Sequence, residues 1–283
     1  MRDKERGKMR VGYQGTGGAY SEAALFAYFG NSVEAVGFET FSDVFDAVRS
    51  KKIDAGFIPA ENSIAGTVVE NYDLLFRNSP VIIGESFYNI QHTLLANKGS
   101  TLKDIKTVYS HPHALVQCRD FLETHKIRAV PEYDTAGAAK LVRERKNRGD
   151  AAIASELCAE KYDLDVVARG IQSNMFNSTR FLVIAIGISQ NLKKEKTSIA
   201  FKTKHYAGAL VNCLQRLAKN NVNLTKLESR PIPDNPWEYV FYADFEGSID
   251  ADNVKLALSE MEATSLFIKI LGSYPKGTLK GHC

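Results

Sequence analysis

The chain has 283 residues, and at roughly 100–200 residues per domain this length predicts two domains. Apolar residues make up 44% of the chain and charged residues 24%, which excludes a disordered, collagenous or coiled-coil protein. The net charge of +3 equals the excess within residues 1–10, so the sequence does not support binding to nucleic acid through a basic surface.

The sequence carries no signal for export, for membrane insertion or for a zinc site. Residues 1–10 lack the apolar core of a signal peptide, and no apolar run reaches the roughly 18 residues of a membrane span. The cysteines are scattered and form no C-x-x-C pair; they are Cys118, Cys158, Cys213 and Cys283. We therefore expect a cytoplasmic protein with reduced thiols, no metal and no membrane partner.

Short β patterns alternate with helical patterns in the first part of the chain. Strands are predicted at 10–14, 53–59, 81–86 and 92–96. Helices are predicted at 21–29, 42–51 and 68–76. Ser42 is expected to cap the second helix, whose apolar face carries Val44, Phe45 and Val48.

The same alternation restarts at residue 107 and continues to residue 187. Strands are predicted at 107–110, 128–133, 151–155 and 179–187, and helices at 113–125, 135–146 and 156–162. Alternating strands and helices predict an α/β domain with a mostly parallel sheet. The restart predicts two lobes, with a ligand in the crevice between them at the strand ends.

The order of elements changes after a polar, charged segment at 188–196, which is predicted to be a linker. Beyond it, strands are predicted at 197–203, 222–232, 238–247 and 265–275, and helices at 208–221 and 250–262. This β-α-β-β-α-β order over about 80 residues predicts an α+β domain of the ferredoxin-like type.

Two motifs follow strands of the first lobe. The glycine-rich loop QGTGGAYSE at 14–22 permits close approach of a ligand to the backbone, and the helix N-terminus after it attracts anions. Its alternative reading is a turn with a serine N-cap. The segment PAENSIAGT at 59–67 places Glu61, Asn62 and Ser63 at the carboxyl end of an apolar strand, where ligands bind. Helix capping is the alternative there.

Two further motifs occupy corresponding places later in the chain. SHPH at 110–113, followed by Gln117, is expected to face the same crevice, although two histidines alone leave a metal underligated. NSTRF at 177–181 enters a strand, where Arg180 suits a bidentate clamp on a carboxylate and Thr179 suits a hydrogen-bond donor. The alternative reading of this motif is a surface arginine beside a β-favouring threonine.

The predicted C-terminal domain carries two motifs of its own. GALV at 208–211 opens its first helix, where backbone N–H groups are free to receive an anion. ESRP at 228–231 ends its second strand. The alternatives are helix capping and a strand that stops at its proline.

Taken together, these motifs resemble those of the prephenate and arogenate dehydratase family over about residues 10–275. The resemblance rests on Tyr20-Ser21, Glu61-Asn62-Ser63, Ser110-His111-Pro112, Asp134-Thr135-Ala136-Gly137-Ala138 and Thr179-Arg180-Phe181. GALV and ESRP are similar to the motifs of the ACT regulatory module. The chain departs from the common pattern at 14–20, where many bacterial members carry Gly-Pro-x-Gly-Thr-Phe, and at Ala60, where a larger aliphatic residue is common.

The resemblance implies a fold and an activity. The fold is a two-lobed, periplasmic-binding-protein-type-II-like α/β catalytic domain at 10–187, followed by the linker and an α+β ferredoxin-like ACT domain at 197–275. The activity is that of a carbon–oxygen lyase: decarboxylating dehydration of prephenate to phenylpyruvate, water and carbon dioxide in L-phenylalanine biosynthesis, with no cofactor. Feedback regulation by L-phenylalanine and a homodimer or homotetramer are implied as well.

Carried over residue by residue, the resemblance also implies a site. The catalytic residues would be Glu61, Asn62, Gln117 and Thr179, with the threonine at the leaving hydroxyl. The substrate-binding residues would be Ser21, Ser63, Ser110, Thr135, Arg180 and Phe181. The effector L-phenylalanine would contact Gly208, Ala209, Leu210, Val211, Glu228, Ser229 and Arg230.

Two other functions fit the same pattern. An arogenate dehydratase acts on a substrate with an amino group in place of the keto group and yields L-phenylalanine directly. A non-catalytic phenylalanine-sensing protein would keep the two-lobed fold without turnover, because a fold does not determine a function. Such a sensor has no need of the motif around Thr179, which is intact in this chain.

Overall fold

The computed structural model of the chain describes residues 7–174, 176–187, 193–232 and 235–278. The first lobe contains β1 (Arg10–Gln14), α1 (Tyr20–Phe29), β2 (Glu34–Phe38), α2 (Phe41–Arg49), β3 (Ala55–Asn62), β4 (Gly66–Thr67), α3 (Val69–Arg77) and β5 (Val81–Asn89). The second lobe contains β6 (Thr93–Ala96), β7 (Thr107–Ser110), α4 (Pro112–Gln117), α5 (Arg119–Thr124), β8 (Arg128–Pro131), α6 (Thr135–Arg145), β9 (Asp150–Ala154), α7 (Leu157–Lys161) and β10 (Asp165–Arg169). The chain then returns with β11 (Ser178–Ala185) and continues with β12 (Lys196–Thr203), α8 (Ala209–Lys219), β13 (Leu224–Ile232), β14 (Asn235–Glu246), α9 (Asp252–Glu262) and β15 (Ser265–Tyr274).

Two sheets organise the described residues. One has ten strands in the order β13-β14-β12-β15-β5-β11-β3-β1-β2, with β4 paired to β3, and the other has five strands in the order β10-β6-β9-β7-β8. The chain crosses from the first lobe to the second at 90–92 and returns at 170–177. The crevice between the two lobes is therefore bordered by these two crossing segments. No helix in these described ranges is long and apolar enough to span a membrane.

The expectation of a mostly parallel sheet is wrong. β1 runs parallel to β2 and β3, and β7 runs parallel to β8 and β9. In contrast, β11 is antiparallel to β3 and β5, and β6 is antiparallel to β9 and β10. Both β6 and β11 come directly after a crossing between the lobes, so neither is reached through the helical crossover that parallel pairing requires.

Several local predictions also differ from the structure. β2 and β10 were not predicted, and the helix expected at 113–125 is interrupted at Cys118, between α4 and α5. Thr40, rather than Ser42, caps α2: its hydroxyl accepts a hydrogen bond from the Asp43 N–H at 3.1 Å, and the Asp43 carboxylate accepts one from the Thr40 N–H. Of the linker expected at 188–196, residues 188–192 lie outside the described residues, and Lys196 already belongs to β12.

The C-terminal strands extend the sheet of the first lobe. β12 to β15 form the order β13-β14-β12-β15, and β15 pairs in parallel with β5 where Gly272 lies opposite Ile82. A Cβ at this glycine would collide with the Ile82 carbonyl, so the approach of the two strands depends on the missing side chain. A shared core, with Tyr72 from α3 beside Tyr242 and Tyr274, covers this face of the first lobe.

Candidate active site

The ladder between β3 and β11 separates two sets of predicted site residues. Thr179 lies opposite Asn62, and Arg180 lies opposite Glu61. Because successive side chains of a strand point to opposite faces, the first pair and the second pair face different sides of the sheet. The Asn62 side chain donates a hydrogen bond to the Thr179 hydroxyl at 2.9 Å, so this predicted pair is brought together.

The orientation of the Asn62 amide is determined by backbone donors. Its Oδ1 accepts hydrogen bonds from the N–H groups of Ile64 and Ala65, both at 2.9 Å. The other end of the amide, Nδ2, must therefore be the donor to its remaining neighbours. These are the Asn177 Oδ1 at 2.8 Å, the Thr179 Oγ1 at 2.9 Å and, at the longer distance of 3.4 Å, the Ser178 carbonyl.

The same order of donors and acceptors continues into the second lobe. Because the Asn177 Oδ1 accepts from Asn62, its Nδ2 donates, and it does so to the Gln117 Oε1 at 3.2 Å. The Gln117 oxygen also contacts the His92 Nε2 at 2.6 Å, so that nitrogen carries the hydrogen. The neutral His92 Nδ1 then accepts from the Tyr20 hydroxyl at 2.6 Å. These residues form one hydrogen-bonded chain across the crevice, which we call the Tyr20–Thr179 chain.

Burial favours the neutral forms of the two titratable side chains in the Tyr20–Thr179 chain, His92 and Tyr20. Burial lowers the pKa of His92, and the hydrogen bond with Gln117 opposes the shift without reversing it. Burial also raises the pKa of Tyr20 well above its ordinary value. A neutral imidazole and a protonated phenol are the forms that the donor order requires.

Thr179 is the last residue of the Tyr20–Thr179 chain, and its hydroxyl has a hydrogen to donate. Its oxygen accepts from Asn62, and among the described residues its hydroxyl donates no hydrogen bond. The side chain is 8% exposed, at the carboxyl end of β3 and the start of β11. A hydroxyl held from one side in this way can donate to a ligand oxygen, which is the arrangement that stabilises a developing negative charge.

A cleft of about 940 Å³ lies between the lobes, and Tyr20 is the member of the Tyr20–Thr179 chain that lines it. The glycine-rich loop, the first turn of α1 and the start of α6 line it, and they include Tyr20, Ser21 and Thr135. The Lys161 ammonium borders it and pairs with the buried Glu22 carboxylate at 2.7 Å. Ser21 and Thr135 therefore lie at the predicted crevice, and Tyr20 connects the cleft to the Tyr20–Thr179 chain.

The predicted roles of Arg180 and Glu61 in the crevice are wrong. Arg180 is 2% exposed, and its guanidinium donates to the carboxylates of Glu85, Asp244 and Glu61 on the opposite face of the sheet. Burial alone would raise the pKa of Glu61, but Lys226 and Arg180 outweigh burial and lower it. Strand alternation explains both errors, because a residue next to Asn62 or Thr179 must face away from the crevice.

Three further residues predicted to bind substrate are occupied elsewhere. Phe181 is 2% exposed and stacks on Phe57 in the core of the first lobe, with ring centroids 4.8 Å apart. Ser110 is fully buried and donates to the Ile153 carbonyl at 2.6 Å. The Ser63 hydroxyl donates to the Phe176 carbonyl and accepts from the Ser178 N–H, both at 2.9 Å, so it holds the segment that precedes β11.

The predicted effector motifs lie apart within one chain. Residues 208–211 line a cavity of about 310 Å³ at the start of α8. Glu228 instead accepts a hydrogen bond from Thr67 at 2.8 Å, and Arg230 pairs with Asp73 at 3.0 Å, so both point at the first lobe. Ser229, between them on β13, is exposed on the other face. Glu228 and Arg230 therefore face the first lobe and not the cavity at the start of α8, because strand residues alternate, and their contact with the effector stays a prediction.

His92 and Asn177 were missed as site residues. Both lie in the segments that cross between the lobes, at the start of β6 and just before β11. The only signal in the sequence is that polar residues interrupt apolar runs there, at 89–92 and 172–178. Among the described residues, no group of three or more His, Cys, Asp or Glu side chains converges as a metal site.

Comparison with known proteins identifies relatives of this chain. The family model described as Prephenate dehydratase matches residues 11–187. The arogenate dehydratase/prephenate dehydratase 2 of Arabidopsis thaliana is 40% identical over 282 residues, which cover 96% of this chain and 74% of that protein. The bifunctional chorismate mutase/prephenate dehydratase of Aquifex aeolicus (strain VF5) is 38% identical, with 96% and 75% covered.

Solved structures agree in fold over nearly the whole chain. GqqA, described as a novel type of quorum quenching acylase, has a TM-score of 0.88 at 33% identity and covers 94% of this chain and 97% of its own. The prephenate dehydratase of Arthrobacter aurescens in complex with L-Phe has a TM-score of 0.86 at 29% identity, with 95% and 90% covered. The family model and these relatives show that the chain belongs to the prephenate dehydratase family.

Proposed function

We propose that the protein is a dehydratase that converts prephenate to phenylpyruvate, carbon dioxide and water, as a step of L-phenylalanine biosynthesis. The observation that carries the proposal is the Thr179 hydroxyl, which accepts a hydrogen bond from Asn62 and keeps its own hydrogen for a ligand. Membership of the prephenate dehydratase family supports the same assignment.

The reaction asks for positioning more than for a strong acid or base. The bond from the ring to its carboxylate breaks and its electron pair enters the ring, while the bond from the ring to the hydroxyl oxygen breaks. The departing hydroxide takes up one proton and leaves as water. Because the ring becomes aromatic, the protein mainly has to orient the substrate, which contributes up to about 7–11 kcal/mol, and to assist the leaving oxygen. A positioned proton donor adds roughly 10²–10⁴-fold.

Thr179 supplies the assistance to the leaving oxygen in this proposal. A threonine hydroxyl is a poor acid, so it donates a hydrogen bond to the departing hydroxyl, and the proton comes from water in the cleft. Asn62 donates a hydrogen bond to the threonine oxygen and to Asn177, and Asn177 donates one to Gln117. These bonds fix the position of Asn62. In this proposal the N-terminus of α1 and Ser21 receive the substrate carboxylates in the cleft. The Lys161 ammonium there is already paired with Glu22, and Glu39 and Asp134 also line the cleft.

The decisive experiment supplies prephenate and arogenate in turn to the purified full chain and compares kcat/KM for the two. We expect turnover of prephenate, with phenylpyruvate and carbon dioxide released in equal amounts. A higher kcat/KM for arogenate would assign the protein as an arogenate dehydratase. No turnover of either substrate, with L-phenylalanine still bound, would favour the non-catalytic sensor and overturn the proposal.

The C-terminal part of the chain is proposed to regulate this activity. Residues 197–275 form an ACT domain in this proposal, and the cavity at the start of α8 binds L-phenylalanine. The first turn of a helix leaves N–H groups free for the carboxylate, and Phe241 and Leu266 line the cavity around the ring. Val211 and Leu266 are each 55% exposed, which supports a homodimer or homotetramer in which a second copy completes the cavity.

A further inference from the structure

A cluster of buried charges lies on the face of the β3–β11 ladder that is opposite to Thr179. It consists of three cations and four carboxylates, namely Arg180, Lys196 and Lys226 with Glu61, Glu85, Asp244 and Glu228. The side chains of Arg180, Glu85 and Asp244 are at most 2% exposed. The ladder that presents the candidate catalytic hydroxyl on one face therefore rests on an ionic cluster on the other.

Three ion pairs of this cluster cross between the two parts of the chain: Arg180 with Asp244, Lys196 with Glu85, and Lys226 with Glu61. Lys226 also pairs with Glu228 of its own part at 3.8 Å. An unpaired buried charge is strongly unfavourable, whereas a paired and hydrogen-bonded one is tolerated. The charges thus make the position of the ladder depend on the C-terminal part.

Arg180 is the residue at which both parts meet. Its Nε donates to the Glu85 carboxylate of the first lobe at 2.7 Å. Its Nη1 donates to Asp244 on β14 at 2.5 Å, and its Nη2 donates to the Tyr274 hydroxyl on β15 at 3.0 Å. Ser198 holds the other oxygen of Asp244 at 2.5 Å. Nη2 is therefore held by the C-terminal part, and Nη1 is shared between Asp244 and Glu61 of the first lobe, to which it donates at 2.9 Å.

The backbone transmits this position to the candidate site. Arg180 directly follows Thr179 on β11, and its partner Glu61 directly precedes Asn62 on β3. Arg180 and Thr179 are neighbours on one strand, so a movement of the β11 backbone at Arg180 also moves the Thr179 hydroxyl on the opposite face. A misplacement on the order of 1 Å can reduce the rate of a reaction by about 100-fold.

We propose that Asp244 is a positioning residue for the dehydration: it holds Arg180 from the C-terminal part and so sets the place of the Thr179 hydroxyl. The inference rests on the proposed function, because it concerns the rate of that reaction. It implies that one carboxylate that orients the site of the two lobes is supplied by the C-terminal part of the chain.

The test compares two carboxylates that bridge the same parts of the chain. Asp244→Asn in the full chain removes the charge that holds Arg180 and keeps the size of the side chain. Asp73→Asn is the matched control, because Asp73 pairs with Arg230 and Tyr242 across the same boundary but does not touch the β3–β11 ladder. We expect Asp244→Asn to lower kcat by about 10- to 100-fold with KM changed less than about twofold. Asp73→Asn should leave kcat within about twofold of the unmodified chain.

A second matched pair is available if the loss of a buried charge prevents folding. Tyr274→Phe removes the hydroxyl that Arg180 contacts, whereas Tyr242→Phe removes a hydroxyl that contacts Asp73 at 3.2 Å. Both tyrosines are buried at the same boundary, so the two variants share their cost in packing. We expect Tyr274→Phe alone to lower kcat with KM retained. All variants are assayed below the thermal unfolding midpoint of each.

The outcomes separate this inference from the function on which it rests. A lower kcat confined to the variants that contact Arg180 supports it. Equal kcat values for Asp244→Asn and Asp73→Asn, or for the two tyrosine variants, overturn it while the function stands. A rise in KM without a fall in kcat also overturns it, because that pattern is a loss of uniform binding. If the unmodified chain dehydrates neither substrate, the proposed function fails as well.

Discussion

At the scale of single residues, the site depends on which atoms carry hydrogen. The backbone N–H groups of Ile64 and Ala65 determine the orientation of the Asn62 amide. The hydrogen bonds of Asn177 and Gln117 that follow from it determine the tautomer of His92. The result at the other end is a Thr179 hydroxyl that accepts from Asn62 and has its hydrogen free. Such an arrangement is pre-organised, so no reorientation is needed when the leaving oxygen develops charge.

Thr179→Ala is expected to lower kcat by about 100-fold or more and to change KM little, because the lost hydrogen bond is made mainly in the transition state. The measurement is steady-state kinetics with prephenate on the purified variant. Thr179→Ser is the matched control, since it keeps the hydroxyl, and we expect it to stay within about tenfold of the unmodified chain. A kcat for the alanine variant close to that of the unmodified chain would remove Thr179 from the mechanism.

His92 should make stability dependent on pH below neutrality. Its pKa is lowered from 6.5 by burial, so the unfolded state binds more protons than the folded state between the folded pKa and 6.5. The stabilisation by neutral His92 is therefore complete above pH 6.5 and is lost as the pH falls through the folded pKa.

The measurement is urea unfolding of the full chain at a series of pH values from 8 down to about 5, where a histidine becomes charged. His92→Gln is expected to show a weaker pH dependence than the unmodified chain in this range. His125→Gln, at an exposed position on the helix side of the second lobe, is the control and should keep the original dependence. Identical slopes for the unmodified chain and His92→Gln would show that His92 does not titrate as its burial indicates.

At the scale of elements, strand alternation decides which residues can act together. On β3 and β11 it sends Asn62 and Thr179 to the crevice and Glu61 and Arg180 to the ionic cluster. On β13 it sends Glu228 and Arg230 to the first lobe and leaves Ser229 on the side of the helices. The α8 cavity, at the start of α8, is lined within one chain by the end of β12, the first turn of α8, β14 and Leu266 of β15.

Leu266→Asp is expected to weaken binding of L-phenylalanine by at least about tenfold, which corresponds to about 1.4 kcal/mol. The new carboxylate would stand in the α8 cavity where the apolar ring of the ligand is proposed to pack, and a charge there is unfavourable beside an apolar group. Leu266 is 55% exposed, so the change costs little in folding. Calorimetry on the full chain provides the measurement. Leu256→Asp is the matched control, because Leu256 is 53% exposed but lies on α9 away from the cavity; equal weakening by both variants would place the effector elsewhere.

At the scale of the whole molecule, the C-terminal part and the first lobe are joined by one sheet, one core and one ionic cluster. β15 continues the sheet at Gly272, Tyr242 and Tyr274 pack against Tyr72, and Lys269 donates to carbonyls at the end of α3, including that of Asn78 at 3.0 Å. Through these contacts, a change of conformation in the C-terminal part can displace the β3–β11 ladder that carries Thr179.

Gly272→Ala is expected to destabilise this junction by about 1–3 kcal/mol, because the new methyl group would collide with the Ile82 carbonyl. The measurement is the thermal unfolding midpoint of the full chain, which should fall. Gly149→Ala is the matched control, since a Cβ there meets its nearest atoms at 3.6 Å, an ordinary contact distance. An unchanged midpoint for Gly272→Ala would mean that β15 and β5 can separate without cost.

The order of most elements, the restart at residue 107 and the position of Asn62 and Thr179 at strand ends were readable from the sequence alone, although β2, β4 and β10 were missed. These features follow from local patterns: alternating strands and helices, the restart at residue 107, and polar residues placed at strand ends. The β-α-β-β-α-β order of the C-terminal part follows in the same way. The periods of helices and strands appear in residues that are close together in the sequence, so they can be recognised without the tertiary structure.

Which face of each strand is buried, and which elements bury it, depends on the tertiary structure. Arg180 looked like a crevice residue because nothing near it in sequence shows that β12 to β15 cover the opposite face of the first lobe. His92 looked like part of an apolar strand, and its partners Gln117 and Tyr20 are 25 and 72 residues away. Such contacts are set by the packing of elements that are distant along the chain, and a local pattern carries no information about that packing.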